Sequence, residues 1–148
     1  MAKLVKKSGN LRAQLDKWVE NASNAKSVKA GFLDDASYPD NGTPVAMIAV
    51  IQDFGAPSRG IPPRPFFRTA IKEGEAKWPK LMRVMQINGY NARQTLEYIG
   101  SNIVADIKLQ ITNGAWAPLA PSTIKRKGFE TPLIDTGVMR DSANYEVE

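Results

Sequence analysis

The sequence predicts one α+β domain: a small, mainly antiparallel sheet packed by two or three helices, with a long Pro-rich extended arm. Three observations carry this expectation. Residues 91–113 place apolar side chains every three or four positions, as one face of a helix does. Residues 27–34 and 145–148 alternate apolar with polar, as strands do. Residues 55–65 hold four prolines and two glycines, which excludes regular structure there.

At 148 residues the chain has the length of one ordinary domain, and its 43% hydrophobic and 24% charged residues are globular in balance. There is no cysteine, so disulfides and thiolate zinc sites are excluded and folding in a reducing cytoplasm is expected. No apolar stretch follows Lys3, Lys6 and Lys7, and the run from Pro44 to Ile51 is too short to span a bilayer. Neither a signal peptide nor a membrane partner is expected. There is no histidine either, and histidine serves most acid–base sites at neutral pH. The expectation is a protein that is not an enzyme and uses no cofactor.

The net charge of +5 is unevenly placed. Residues 1–30 hold seven Lys/Arg against two acids, residues 31–58 hold Asp34, Asp35, Asp40 and Asp53 with no base, and residues 59–83 return to seven bases against two acids. Patches of both signs suit head-to-tail contacts between copies, although ordinary solvated surface explains them equally well.

In chain order, Leu11, Leu15, Trp18, Ala22 and Ala25 form a first helical stripe, with Asn10 as N-cap. Val28, Ala30 and Phe32 share one side of a strand. The turn formers of residues 34–43, strongest at Asp40-Asn41-Gly42, then lead to Pro44–Phe54. That run is apolar on both faces and reads as a central strand, paired with the first as a hairpin. The arm follows. Eleven residues at ~3.3 Å each span roughly 36 Å, more than a radius of gyration near ~15 Å. The arm therefore either lies on a neighbouring subunit or folds back on its own domain.

Phe67, Ile71, Trp78, Leu81, Met82 and Met85 give a second helix, interrupted at Pro79 by a kink or a break into two. Asn91 and Gln94 have capping-box spacing before the third helix, whose Leu96, Ile99, Ile103, Ile107 and Ile111 run to Gly114. The sheet is expected to pack on the first and third helices. Residues 114–137 read as an extended C-terminal loop region with a short turn capped by Ser122, and residues 145–148 as a final strand.

Asp34, Asp35, Asp40, Asp53 and Asp135 are the candidates for a carboxylate or metal site, but their spacing fits no calcium loop and reads as turns, so no metal site is assigned. No glycine pattern cradles phosphate. Lys125, Arg126 and Lys127, with Arg59, Arg64 and Arg68, are the candidates for contact with nucleic acid or an acidic partner. Trp18, Phe67, Trp78 and Trp116 stand at core-like places and not at stacking ones.

The strand-like run followed by Gln52-Asp53-Phe54-Gly55 and Ile61-Pro62-Pro63-Arg64-Pro65-Phe66 resembles the virion-morphogenesis and neck proteins of tailed phages, the tail-completion, tail-terminator or head–tail joining family. Trp116-Ala117-Pro118-Leu119 with Ser122-Thr123-Ile124-Lys125, then Lys127-Gly128 and Pro132-Leu133-Ile134-Asp135-Thr136-Gly137, is similar to that family's closing motif. The resemblance covers roughly residues 28 to 142. The family often shows Glu where Gln52 or Asp53 stands and Thr where Ala56 stands.

The resemblance implies a structural virion protein: a homo-oligomeric ring subunit, often sixfold, through which the genome passes. It is expected to be made in the host cytoplasm and built into the neck. Its expected partners are copies of itself, neighbouring neck or adaptor proteins, the tail tube or sheath, and passing DNA without sequence preference. The resemblance also implies contacts from the arm (Arg59, Ile61, Pro62, Pro63, Arg64, Pro65 and Phe66) and from the closing motif (Trp116, Leu119, Leu133, Asp135, Thr136 and Gly137). On this expectation Pro63 and Pro65 hold the path, Phe66 fills a neighbour's pocket and Arg64 meets an acid such as Asp53 there. Lys125, Arg126 and Lys127 face DNA or an acidic partner. The rival readings are a basic, non-sequence-specific nucleic-acid-binding module and a small carboxylate hydrolase.

Overall fold

The pairing that closes the fold joins segments more than a hundred residues apart in sequence. In the computed structural model, which describes residues 8–33 and 35–148, β1 (Val28–Gly31) pairs antiparallel with β2 (Asn144–Val147), Val28 opposite Val147 and Gly31 opposite Asn144. Lys26 and Ser27 N–H donate to the Glu148 carbonyl, and Lys29 ion-pairs with the Glu148 side chain. The architecture is α+β, with these two strands as the sheet among the described residues.

The expected hairpin partner is a helix. Val45–Phe54 forms α2, which buries Val45, Ala49 and Asp53 at helical spacing. A ten-residue run that is apolar all round fits a buried helix as well as a central strand, and its length favours the helix. The turn before it is formed as expected: Tyr38 N–H donates to the Thr43 carbonyl at 2.9 Å and Asn41 Oδ1 accepts from Thr43 N–H.

α3 (Phe66–Ile87) continues through Pro79 as one helix of 22 residues. Its partner is α4 (Ala92–Asn113), and polar links cross between the two. Trp78 Nε1 donates to Asp106, Lys77 pairs with the same carboxylate, and Gln110 donates to Glu73. Support from α4 along its length offsets the hydrogen bond lost at the proline. The α4 cap is as the sequence predicts, with both halves of the Asn91–Gln94 capping box made. Ile99, Ile107 and Ile111 are buried on its core face.

The sheet lies across α4 at Gly100. A Cβ there would stand 2.4 Å from the Tyr145 ring and 2.9 Å from Val28, so the approach of strand to helix requires glycine. The main core joins α2, α3, α4 and α6 (Val138–Asp141) through Val45, Ala49, Phe66, Ala70, Ile107, Ile111, Met139 and Ala143. α5 (Pro121–Lys127) is the short turn expected before Gly128, although Ala120 occupies the cap position.

α1 (Ser8–Ser23) departs most from expectation. It includes Asn10 within the helix, and every side chain from Leu11 to Glu20 is exposed, so it does not pack the sheet. Trp18, expected in the core, is 72% accessible. Lys3, Lys6, Lys7 and Asp34 lie outside the described residues.

Candidate assembly site

The Pro-rich segment begins by reversing direction. Gly55 has φ 76°, and a Cβ there would stand 2.7 Å from Pro63 N and 2.9 Å from the Ile61 carbonyl oxygen. Ala56 and Ile61 bridge across a 3₁₀ turn at Pro57–Arg59, exchanging N–H···O bonds of 2.9 and 3.1 Å. Arg64 N–H then donates to the Gln52 carbonyl at 2.8 Å. Instead of extending, the segment is laid along the end of α2. The extended-arm expectation is corrected here: prolines stiffen only the short stretch before α3, and glycines close the rest.

That path sends Arg64 and Phe66 inward. Phe66 has no accessible surface and meets Phe32 edge-to-face, centroids 6.3 Å apart, so it fills its own core and not a neighbour's pocket. Arg64 is 4% accessible. Its Nη1 donates to Gln52 Oε1 at 2.9 Å, Nε to the Ala117 carbonyl at 3.0 Å and Nη2 to the Pro118 carbonyl at 3.2 Å. Burial pulls the guanidinium below its usual pKa, and no ion pair among the described residues involves it. Arg59 and Pro63 remain exposed, while Ile61, Pro62 and Pro65 are half-buried.

Asp53 is also satisfied within the chain. Its Oδ1 accepts from Phe67 N–H at 2.9 Å and Arg68 N–H at 3.3 Å, in the first turn of α3, and Oδ2 accepts from Arg68 Nε at 2.6 Å. A carboxylate at that position caps the helix and meets the positive end of its dipole. The expected Arg64–Asp53 pair between subunits is therefore replaced by Arg68–Asp53 within one, with Arg68 also 4.3 Å over the Phe54 ring.

The closing motif reaches the same place. Ala117 and Pro118 supply the carbonyls that hold Arg64, so two motifs more than fifty residues apart are joined by one side chain. Trp116 packs on the core and donates Nε1 to the Gln110 carbonyl at 2.8 Å. Leu133 also packs on the core, but at φ 63°, a left-handed conformation that costs a bulky residue about 1–2 kcal/mol. Gly137 is buried at φ 81° and opens α6, while Asp135 and Thr136 are exposed.

Lys127 does not face outward with its neighbours. Its Nζ donates to the Thr131 and Ile134 carbonyls and lies 4.7 Å over the Phe129 ring, clamping the loop that carries Leu133. Burial lowers its pKa, Asp135 opposes this, and Arg126 and Arg64 add to it. Lys125 and Arg126 are exposed.

These groups line an open cleft of about 550 Å³ between the turn at Tyr38–Thr43, α2, α5 and the 133–139 segment. Arg64, Arg126 and Lys127 stand on its wall against Asp40 and Asp135. Tyr38, also on the wall, has its pKa raised by burial and then by Asp135. Arg64 and Lys127 are committed to backbone carbonyls, while Arg126 is exposed on the wall. Among the described residues no three His, Cys, Asp or Glu cluster as a metal site would need, and no helix is long and apolar enough to cross a membrane.

Leu119 lines this cleft as well. The sequence reading missed Gln52, Tyr38 and Phe129, whose parts depend on the fold of distant segments. Only the Gln-Asp pair before Gly55 pointed towards the first of them. Compared with protein-family models, curated proteins and solved structures, the chain matches none.

Proposed function

We propose that the chain is a structural subunit of a homo-oligomeric ring at the neck of a tailed phage, closing the tail or joining it to the head. The observation that supports this most is the junction at Arg64. The segments that carry the resemblance, 52–66 and 116–137, are built into one another there and frame a single cleft. Their residues hold backbone carbonyls and helix ends, a use that fits scaffolding and contact better than bond-making chemistry. In this reading the cleft receives a segment of a neck or tail partner, with Arg126 exposed on its wall.

The test is the mass of the purified protein by light scattering across concentration and salt, with negative-stain images of any large species. A discrete ring-sized oligomer is the expected result. A monomer whose affinity for DNA falls steeply with salt would replace this reading with the nucleic-acid module.

A further inference from the structure

Among the described residues, two open apolar faces gather several side chains each. The first is α1, where Leu11, Leu15, Trp18 and Val19 stay between 54% and 72% accessible. A helix of 16 residues is marginal in water unless an amphipathic face is packed. The second is concave. Gly31 at the end of β1 and Phe32 and Leu33 after it, with Ala46 and Val50 of α2 and Phe67 of α3, line an apolar groove of about 220 Å³. Met47 and Phe54 continue it along the open side of α2, both more than half exposed.

We infer that these faces meet between copies: α1 of one copy lies on α2 of the next, with Trp18 seated in the groove. The inference rests on the ring reading and specifies its contact. Area supports it. Taking ~200 Å² for a large exposed side chain, the α1 stripe offers roughly 500 Å², over half of the ~800 Å² per partner in a specific interface. The polar rim supplies the remainder.

Between Leu11 and Glu20, α1 carries two bases and two acids, a balance that suits a protein partner better than an anionic lipid surface. The polar side of α1 has Asp16 and Glu20 beside Arg12 and Lys17, unlike the Lys/Arg-rich face of a helix that lies on membranes. Because the two faces differ, each junction leaves one open α1 and one open groove. Such a contact propagates from copy to copy and closes where the rotation allows.

The chain lacks cysteine, so introduced pairs report alone. Two double variants, Leu15→Cys with Met47→Cys and Leu11→Cys with Phe54→Cys, sample both directions of the helix while keeping Trp18 and the groove wall. After mild oxidation, a ladder of dimers, trimers and higher species is expected on a non-reducing gel from at least one pair. Each single-cysteine variant should stay monomeric. Adding Trp18→Asp, at an exposed position, should lower the cross-linked fraction at least tenfold without changing the circular dichroism.

No ladder from either pair overturns the inference, as does closure within one chain or dimers from Leu15→Cys alone, which would set α1 against α1. Binding of the wild-type chain to phosphatidylserine vesicles in place of self-association also overturns it. Ring-sized wild-type mass without a ladder refutes this contact and leaves the ring reading standing. A monomeric wild type without a ladder refutes both.

Discussion

Replacing Phe66 by Ala separates a core role from an assembly role. The ring has no accessible surface and sits edge-to-face with Phe32 at 6.3 Å among Val45, Ala49, Ala70 and Ile107. Removing a buried phenylalanine costs ~3–5 kcal/mol through lost transfer energy and the cavity left behind. Loss of the aromatic pair, within ~0.5–1.5 kcal/mol, places the expected cost near the upper part of that range. Against a total stability of ~5–15 kcal/mol, that is a large fraction.

For a domain of this size, ~2–4 °C per kcal/mol converts a loss of ~4–5 kcal/mol to roughly 8–20 °C in Tm. Urea unfolding followed by far-UV circular dichroism measures it, with an unchanged slope showing that the same two states are compared. Phe66→Leu, which keeps most of the volume, should lose less than ~1.5 kcal/mol. A loss below ~1 kcal/mol for Phe66→Ala, together with a collapse in oligomer mass, would refute the core assignment and restore the ring to a neighbour's pocket.

Arg64→Met should cost about 3 kcal/mol, because Gln52 Oε1 and the Ala117 and Pro118 carbonyls lose their donors; faster amide exchange around residues 116–119 and an earlier urea midpoint check this. Gly100→Ala gains ~1 kcal/mol of helix propensity but places a Cβ 2.4 Å from the Tyr145 ring, and overpacking of ~1–3 kcal/mol decides the sign towards destabilisation. Adding Tyr145→Ala should remove that clash, measurable as a non-additive double-mutant cycle. Thr95→Val should raise Tm slightly, since the buried Thr95 hydroxyl has no hydrogen-bond partner among the described residues.

Lys127 should titrate below the ordinary lysine value in ¹³C NMR of the reductively methylated protein. Its native pKa is lowered from 10.5, so the native chain binds fewer protons there than the unfolded one. Its contribution to stability therefore rises as pH climbs through the native pKa towards 10.5, and Lys127→Met should abolish that rise.

Local signals were the legible ones. The α4 helix, its capping box, its stop at Gly114 and the turn at residues 38–43 depend on neighbours in sequence, and the structure has them where the spacing predicts. The α+β class and the strand character of 28–31 and 144–147 were legible as well. Which strands pair was not, because β1 has two candidate partners and the apolar run at 45–54 has no period to mark it as helix. At the site, the residue types of both motifs stood out, but not their direction. Arg64 and Phe66 turn inward because Gly55 lets the backbone of residues 61–63 approach, a tertiary fact that composition does not carry. The first stripe marked a helix, but Ala25 falls beyond its end and Trp18 is exposed, since periodicity shows only that a face needs covering and not which molecule covers it.

The pairing of β1 with β2 also sets an order of events. Lys29 and Glu148 are separated by 119 residues, and closing a loop of about that length costs roughly 4 kcal/mol of chain entropy before any strand contact repays it. The α3–α4 hairpin needs only the short link at residues 88–91. Its helices should therefore form early in refolding and the sheet late. In the native state the amides of residues 28–31 and 144–147 should exchange by an opening that leaves α3 and α4 protected, making the strand pair the latch of the domain and its first part to let go.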